Sequence, residues 1–184
     1  MDDQTFIEDY LNRYRNSLFE TDVSQQMIEL KEMLLGIKKN GKKVIIAGNG
    51  GSAAMASHVT VDFTKQGGIR TVNFNEADLI TCFANDYGFE HWVAKAIEFY
   101  GDENDMLILI SSSGNSPNVV RALEVANKRG MTTAAVLGYS GGLCLGLADM
   151  SVHFEVDDMQ IAEDLQLIVG HMCMQWLLES KKIS

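Results

Sequence analysis

The stretch "IIAGNGGSAAMASH", residues 45–58, passes from an apolar run into glycines and then into small residues that end at His58. Val44, Ile45, Ile46 and Ala47 read as a strand buried on both faces, because nothing polar alternates along it. Gly48 to Ser52 follow as a loop that opens a helix, so backbone N–H groups and the positive end of the helix dipole can meet an anion. The spacing G-x-G-x-x-A also matches the start of a dinucleotide fingerprint. That reading needs an acid at the end of the next strand, roughly 20 residues on, to hold a ribose. Glu76 in "NFNEAD" falls later than this, so the loop suits a smaller ligand.

Outward from this loop the same alternation recurs. "IRTVNF" (69–74), "MLILI" (106–110), "TTAAVLG" (132–138) and "MSVHFEV" (150–156) read as further strands. Helical spacing covers 52–66, 76–100 with a break at "NDYG", 116–129 and about 159–181. Five strands alternating with helices predict right-handed crossovers and a doubly wound α/β parallel sheet with helices on both faces. In such a sheet ligands sit beyond the carboxyl ends of the strands. Two amphipathic helices precede it, with Phe6, Tyr10, Tyr14 and Leu18 on the first (3–19) and Met27, Leu30, Leu34 and Ile37 on the second (22–39).

The last helix carries one stripe of Ile161, Leu165, Ile168, Met172 and Trp176 and a second side of Leu167, Met174 and Leu178. A helix apolar on more than one side is usually buried on more than one side. In a chain of 184 residues that predicts a helical subunit interface in a homo-oligomer.

Composition sets the outer limits. One domain spanning 1–184 accounts for the length, with 46% hydrophobic residues and one proline describing an ordinary folded chain. The 25 acidic residues against 15 basic ones give a formal charge of −10, which argues against general affinity for nucleic acid or anionic membrane. Cys82, Cys144 and Cys173 form no C-x-x-C pair, the acidic start "MDDQTFIEDY" does not resemble a signal peptide, and no apolar run reaches membrane-spanning length. The expectation is a cytoplasmic protein whose anionic substrate needs a local, well-built site.

A second loop supplies one. "SSSGNS", Ser111 to Ser116, ends another buried strand and opens a helix, with Ser116 at the cap and Pro117 at the first helical position. Hydroxyls, a glycine and a helix N-terminus make a phosphate cradle without lysine. The absence of G-K-[ST] excludes a Walker loop.

With "GNGGSAA", "ANDYGFE", "SSSGNSPNVVRAL", "GYSGG", "LADMSVHF" and "GHMCMQWLLE" together, the chain resembles the sugar isomerase (SIS) domain family over nearly its whole length. Within that family it resembles the phosphoheptose isomerases, which convert sedoheptulose 7-phosphate to a glycero-manno-heptose 7-phosphate for surface lipopolysaccharide. The resemblance implies a flavodoxin-like fold, residues 1–40 serving oligomerisation beside a core of 41–184, and homotetramers with active sites at subunit interfaces. It implies that Ser111, Ser112, Ser113 and Ser116 bind the sugar phosphate, while Asn49, Gly50, Gly51, Ser52 and Asp86 face the sugar.

An aldose–ketose isomerase needs a base, an acid and stabilisation of an enediol oxygen. His58 and Asp62 are i, i+4, so they share one helix face and can ligate a metal or exchange a proton. The family has a histidine and a glutamate at these positions and a glutamine and a histidine on the last helix; here they read His58, Asp62, Glu163 and His171. The resemblance implies Asp62 as base, His171 as its acid–base partner facing the pair across a subunit interface, and all four as ligands of one zinc, with Glu163 also near substrate. Eight residues of straight helix separate Glu163 from His171 by about 12 Å, too far for one ion unless the helix bends or two subunits contribute. Other readings are a related isomerase acting on a different sugar phosphate of a surface-polysaccharide pathway, and a non-catalytic tetramer of this fold that associates with the replication initiator.

Overall fold

The computed structural model describes residues 2–182; Met1, Ile183 and Ser184, at the ends of the expected 1–184 domain, lie outside the described residues. Helix α1 (Asp3–Phe19) starts where the Asp2 carboxylate accepts a hydrogen bond from the Thr5 N–H at 3.0 Å. Helix α2 (Ser24–Lys39) buries Met27, Leu30, Leu34 and Ile37, the stripe its spacing predicts. By contrast α1 buries none of its residues, and Phe6, Ile7 and Leu11 are exposed.

Strands β1 (Lys43–Ala47), β2 (Arg70–Val72), β3 (Met106–Ser111), β4 (Thr132–Leu137) and β5 (Met150–His153) form one parallel sheet. Their order, β2-β1-β3-β4-β5, is the flavodoxin-like one, and it puts the topological switch point between β1 and β3. Pairing of Ile45 with Leu107 and Ala47 with Leu109 brings the glycine loop after β1 beside the serine loop after β3.

The remaining helices are α3 (Gly51–Asp62), α4 (Ala77–Tyr87), α5 (Trp92–Tyr100), α6 (Pro117–Lys128), α7 (Cys144–Leu147) and α8 (Met159–Lys182). Side chains alternate along each strand, so the sheet feeds two cores. Val44, Ile46, Ile108 and Val136 pack with α2, α3 and α8 through Leu34, Val59, Leu165 and Cys173. Ile45, Leu107, Leu109 and Ala135 pack with α5 and α6 through Trp92, Ile97, Val119 and Leu123. Each such buried aliphatic or aromatic side chain contributes about 1.5–3 kcal/mol.

Several boundaries differ from expectation. The strands read at 69–74 and 150–156 shorten to β2 and β5, and 76–100 divides at Gly88 (φ 89) into α4, a 3-10 turn at Phe89–His91, and α5. The helix expected over 52–66 is α-helical only to Asp62 and then widens into a π turn, Phe63–Gly67. The stripe read along the last helix also splits. Ile161 and Leu165 are buried, but the buried side continues through Val169, Cys173 and Leu177, while Met172 and Trp176 remain 39% and 36% exposed. Steps of four from Leu165 stay on the sheet; the step of three to Ile168 turns away from it. No helix among the described residues is long and apolar enough to cross a membrane.

Candidate active site

The two loops enclose one cleft of about 290 Å³ at the carboxyl edge of the sheet. Asn49 and Ser52 line it from the glycine loop, and Ser111, Ser112, Ser113 and Ser116 from the serine loop. Gly50 (φ 54) stands at the N-cap of α3, and Gly51 begins that helix. The Glu163 carboxylate lies directly over Gly51, where any side chain would collide with it.

Hydrogen bonds hold the walls. The Asn49 and Asn118 amides donate to each other's oxygens at 2.9 and 2.7 Å, joining the glycine loop to the first turn of α6. The Ser52 hydroxyl donates to buried Gln166 at 3.4 Å, and the Gln166 amide donates to the Val136 carbonyl at 3.4 Å. In the serine loop the Gly114 N–H donates to Ser111 Oγ at 3.1 Å and the Asn115 N–H to Ser113 Oγ at 3.3 Å. Gly114 has φ +62, and a Cβ there would overlap the Gly141 carbonyl oxygen, so the loop needs glycine for both reasons.

Ser116 is at the N-cap position with Pro117 after it, as expected, yet its hydroxyl makes no capping bond and lines the cleft instead. No lysine or arginine lines the cleft among the described residues. An anion there meets hydroxyls, loop amides and the N-terminus of the 12-residue helix α6.

A second group of chemical side chains lies further along α8. His58 and Asp62 on α3 and His171 on α8 offer one ligand atom each, all within 4.8 Å of one another. His58 Nε2 is 3.1 Å from His171 Nε2 and 3.5 Å from Asp62 Oδ2, and the two rings meet edge to face. The Gln66 amide, in the π turn, donates to Asp62 Oδ1 at 3.0 Å, leaving Oδ2 turned to the imidazole. Tetrahedral zinc with ligand bonds of about 2.0–2.1 Å has ligand–ligand edges of about 3.3 Å. The two spacings from His58 bracket that value and Asp62 and His171 lie within 4.8 Å of each other, so the donor set fits a divalent ion with one position open.

His171 meets His58 and Asp62 within one chain, not across an interface as the resemblance implied. Helix α8 runs unbroken through both positions, so Glu163 belongs to the cleft and stands apart from the three-residue cluster. Asp86, expected near the sugar, sits exposed in the last turn of α4, accepting from Asn85 Nδ2 at 2.9 Å, outside the cleft of its own chain.

Comparison with known proteins decides the family. The SIS domain profile matches residues 8–138. The chain is 34% identical to the phosphoheptose isomerase of Fusobacterium nucleatum over 166 residues, covering 88% of this chain and 86% of that one.

The chain belongs to the SIS-domain phosphoheptose isomerases.

A second member, from Nitratidesulfovibrio vulgaris, is 34% identical over 168 residues, covering 87% of this chain and 79% of its own. Among solved structures, the phosphoheptose isomerase of Neisseria gonorrhoeae superposes with a TM-score of 0.90 at 26% identity, covering 95% of this chain and 98% of that one. The fold also matches that of a phosphoheptose isomerase from Francisella tularensis, with a TM-score of 0.91 at 24% identity over 98% of this chain and 100% of that chain. As a phosphoheptose isomerase the chain is an isomerase with an α/β sheet like theirs.

Reading the sequence missed Tyr139 and Met159 in the lining of this cleft, and Asn118 and Gln166 as the buried partners that brace Asn49 and Ser52. Tyr139 carried a usable signal, since it lies two residues past the end of β4, at the sheet edge where ligands bind.

Proposed function

We propose that this chain interconverts sedoheptulose 7-phosphate and D-glycero-D-manno-heptose 7-phosphate in the cytoplasm, supplying heptose for lipopolysaccharide. The supporting observation is the pairing of a lysine-free phosphate cleft with a His58, Asp62 and His171 cluster on α3 and α8, the two helices that also line it. Ser111, Ser112, Ser113 and Ser116 hold the phosphate; Asn49, Gly50, Gly51, Ser52, Asp86 and Glu163 face the sugar chain. Asp62 removes a proton from the carbon beside the ketose carbonyl and returns it to the former carbonyl carbon, and His171 moves the proton between the two oxygens. His58, Asp62 and His171 would hold a zinc ion, which would supply Lewis-acid stabilisation of developing oxygen charge.

The cluster and the cleft of one chain are two helical turns apart, and His58 is 54% exposed. Acid–base and electrostatic catalysis works best in a water-excluded site. Beside His171 lie exposed Met172 and Trp176, and an apolar groove of about 690 Å³ runs between α8 and the α1–α2 corner, lined by Leu18, Met27, Ile28 and Ile168. These observations favour a homotetramer in which residues 1–40 and α8 form the subunit contacts and one subunit's cluster faces another's cleft. Met1 to Ser184 then form a single SIS domain.

Turnover of sedoheptulose 7-phosphate by purified protein, with added zinc and with chelator, tests the assignment. Asp62→Asn and His171→Gln should each abolish turnover with the oligomer intact. No turnover under any metal condition refutes the substrate, and full activity in either variant refutes that residue's role. Glu163, a carboxylate where relatives carry an amide, keeps a different sugar phosphate in view, so the panel includes five- and six-carbon ketose phosphates.

A further inference from the structure

Tyr139 lines the cleft and has no part in the reaction proposed above. Its φ is 43, and among the described non-glycine residues only Asn104 shares that left-handed region. Asparagine enters it readily, but a bulky aromatic residue does so only where its surroundings over-determine the backbone. Those surroundings are on both sides of Tyr139. Its N–H donates to the Val156 carbonyl at 3.1 Å, and its own carbonyl accepts from His153 Nε2 at 2.8 Å. The carbonyl has no proton, so His153 carries one on Nε2 whatever its charge.

The flanking turn is tied into the serine loop as well. The Gly138 N–H donates to the Ser112 carbonyl at 3.1 Å, the Cys144 N–H to the Gly114 carbonyl at 3.1 Å, and the Leu143 N–H to Asn115 Oδ1 at 3.0 Å. A strained tyrosine is thus pinned at the rim of the cleft, beside Met159 and Glu163, and its phenol makes no hydrogen bond among the described residues. A phenol is a donor and an acceptor on a stiff two-torsion arm, suited to a polyol hydroxyl. Backbone strain near a binding site is a reason to look for function there.

We propose that Tyr139 is a specificity-determining residue whose phenol hydrogen-bonds the hydroxylated carbon chain of the phosphosugar, and that His153 is the positioning residue that holds Tyr139 in its left-handed turn. The role rests on the sugar-phosphate reading of the cleft. The phosphate itself is held by the serine loop, so the tyrosine separates a phosphosugar from bare phosphate.

Calorimetry of the oligomeric protein with sedoheptulose 7-phosphate and, separately, with inorganic phosphate tests this. Tyr139→Phe should weaken the phosphosugar about tenfold, the size of one lost hydrogen bond, and leave phosphate affinity unchanged. In turnover the loss should appear in KM with kcat kept. His153→Leu should reproduce the selective loss, and His153→Gln, whose amide can still donate to the carbonyl, should recover most of it. Tyr139→Gly, which relaxes the backbone but removes the ring, should melt no lower than the wild type and still lose the phosphosugar preference. A Tyr139→Phe protein that binds both ligands like the wild type overturns the contact, and equal loss of both ligands assigns Tyr139 to loop structure alone. Failure of the wild type to prefer the phosphosugar over phosphate overturns the substrate reading itself, a result visible before any variant is made.

Discussion

Replacing Gly170 by alanine should uncouple catalysis from stability. Gly170 lies where α8 crosses α3, and a Cβ built there comes within 2.5 Å of Val59 Cγ2. Carbon atoms in contact are about 3.5–4.0 Å apart, so Val59 must give way by about 1 Å, and because a β-branched side chain in a helix has one strongly preferred χ1 that shift passes to the helix backbones. The neighbours in sequence are His171 and His58, whose Nε2 atoms are 3.1 Å apart. A displacement of that size at a reacting centre costs about a hundredfold in rate. The stability cost is smaller, because about 1–3 kcal/mol of overpacking is offset by about 1 kcal/mol of helix propensity on replacing glycine with alanine. The expected result is a folded protein, destabilised by about 0–2 kcal/mol, with kcat/KM down about a hundredfold and weakened cobalt binding by absorption spectroscopy. Val59→Ala in the same protein removes both Cγ atoms and leaves Val59's Cβ position 3.6 Å away, an ordinary contact, so it should restore most of the activity. Activity of Gly170→Ala within about threefold of wild type, or no rescue by Val59→Ala, would refute the claim that this crossing sets the cluster.

Two further outcomes follow from burial. Cys144 and Cys173 are buried, which raises their thiols from 9.0 to about 11 and about 12, so the folded chain keeps protons that the unfolded chain releases. Stability should therefore be level below about pH 9 and fall above it, by about 1 kcal/mol per thiol at pH 10, in urea unfolding; Cys173→Ala should lose less across that interval, and an identical pH profile would contradict the assignment. Met172→Glu with Trp176→Glu places charge on the exposed side of α8 and should shift the mass measured by light scattering toward monomer, with turnover lost in parallel; an unchanged mass would move the subunit contact elsewhere.

The alternation of strands and helices and the two cleft loops could be read from the sequence because each rests on a local pattern, whereas the order of the strands rests on long-range pairing. Val44 to Ala47 and Met106 to Ile110 are uniformly apolar because both faces of those strands are covered, and the loops that follow are punctuated by glycine and serine. The π turn after Asp62 carried no comparable mark, since Phe63 occupies a helical core position in either geometry. The stripe on α8 misled because two periodicities coincide at Ile161 and Leu165 and part only at Ile168. Placement of His171 depends on how closely α8 approaches α3, which Gly170 sets and spacing along one helix cannot reveal. The separation of Glu163 from the His58, Asp62 and His171 cluster could be read, because helix rise fixes it wherever the helix is straight.

The reciprocal amide pair of Asn49 and Asn118 has a dynamic consequence. It joins β1's loop to α6, while the Gly138, Leu143 and Cys144 amides tie the turn after β4 to the serine loop. Three crossovers of the sheet thus share one hydrogen-bonded rim, and opening any one strands polar groups on the others. The rim should then open as a single cooperative unit, its amides exchanging with solvent together in hydrogen-exchange measurements, and a ligand that bridges its walls should slow the whole set at once.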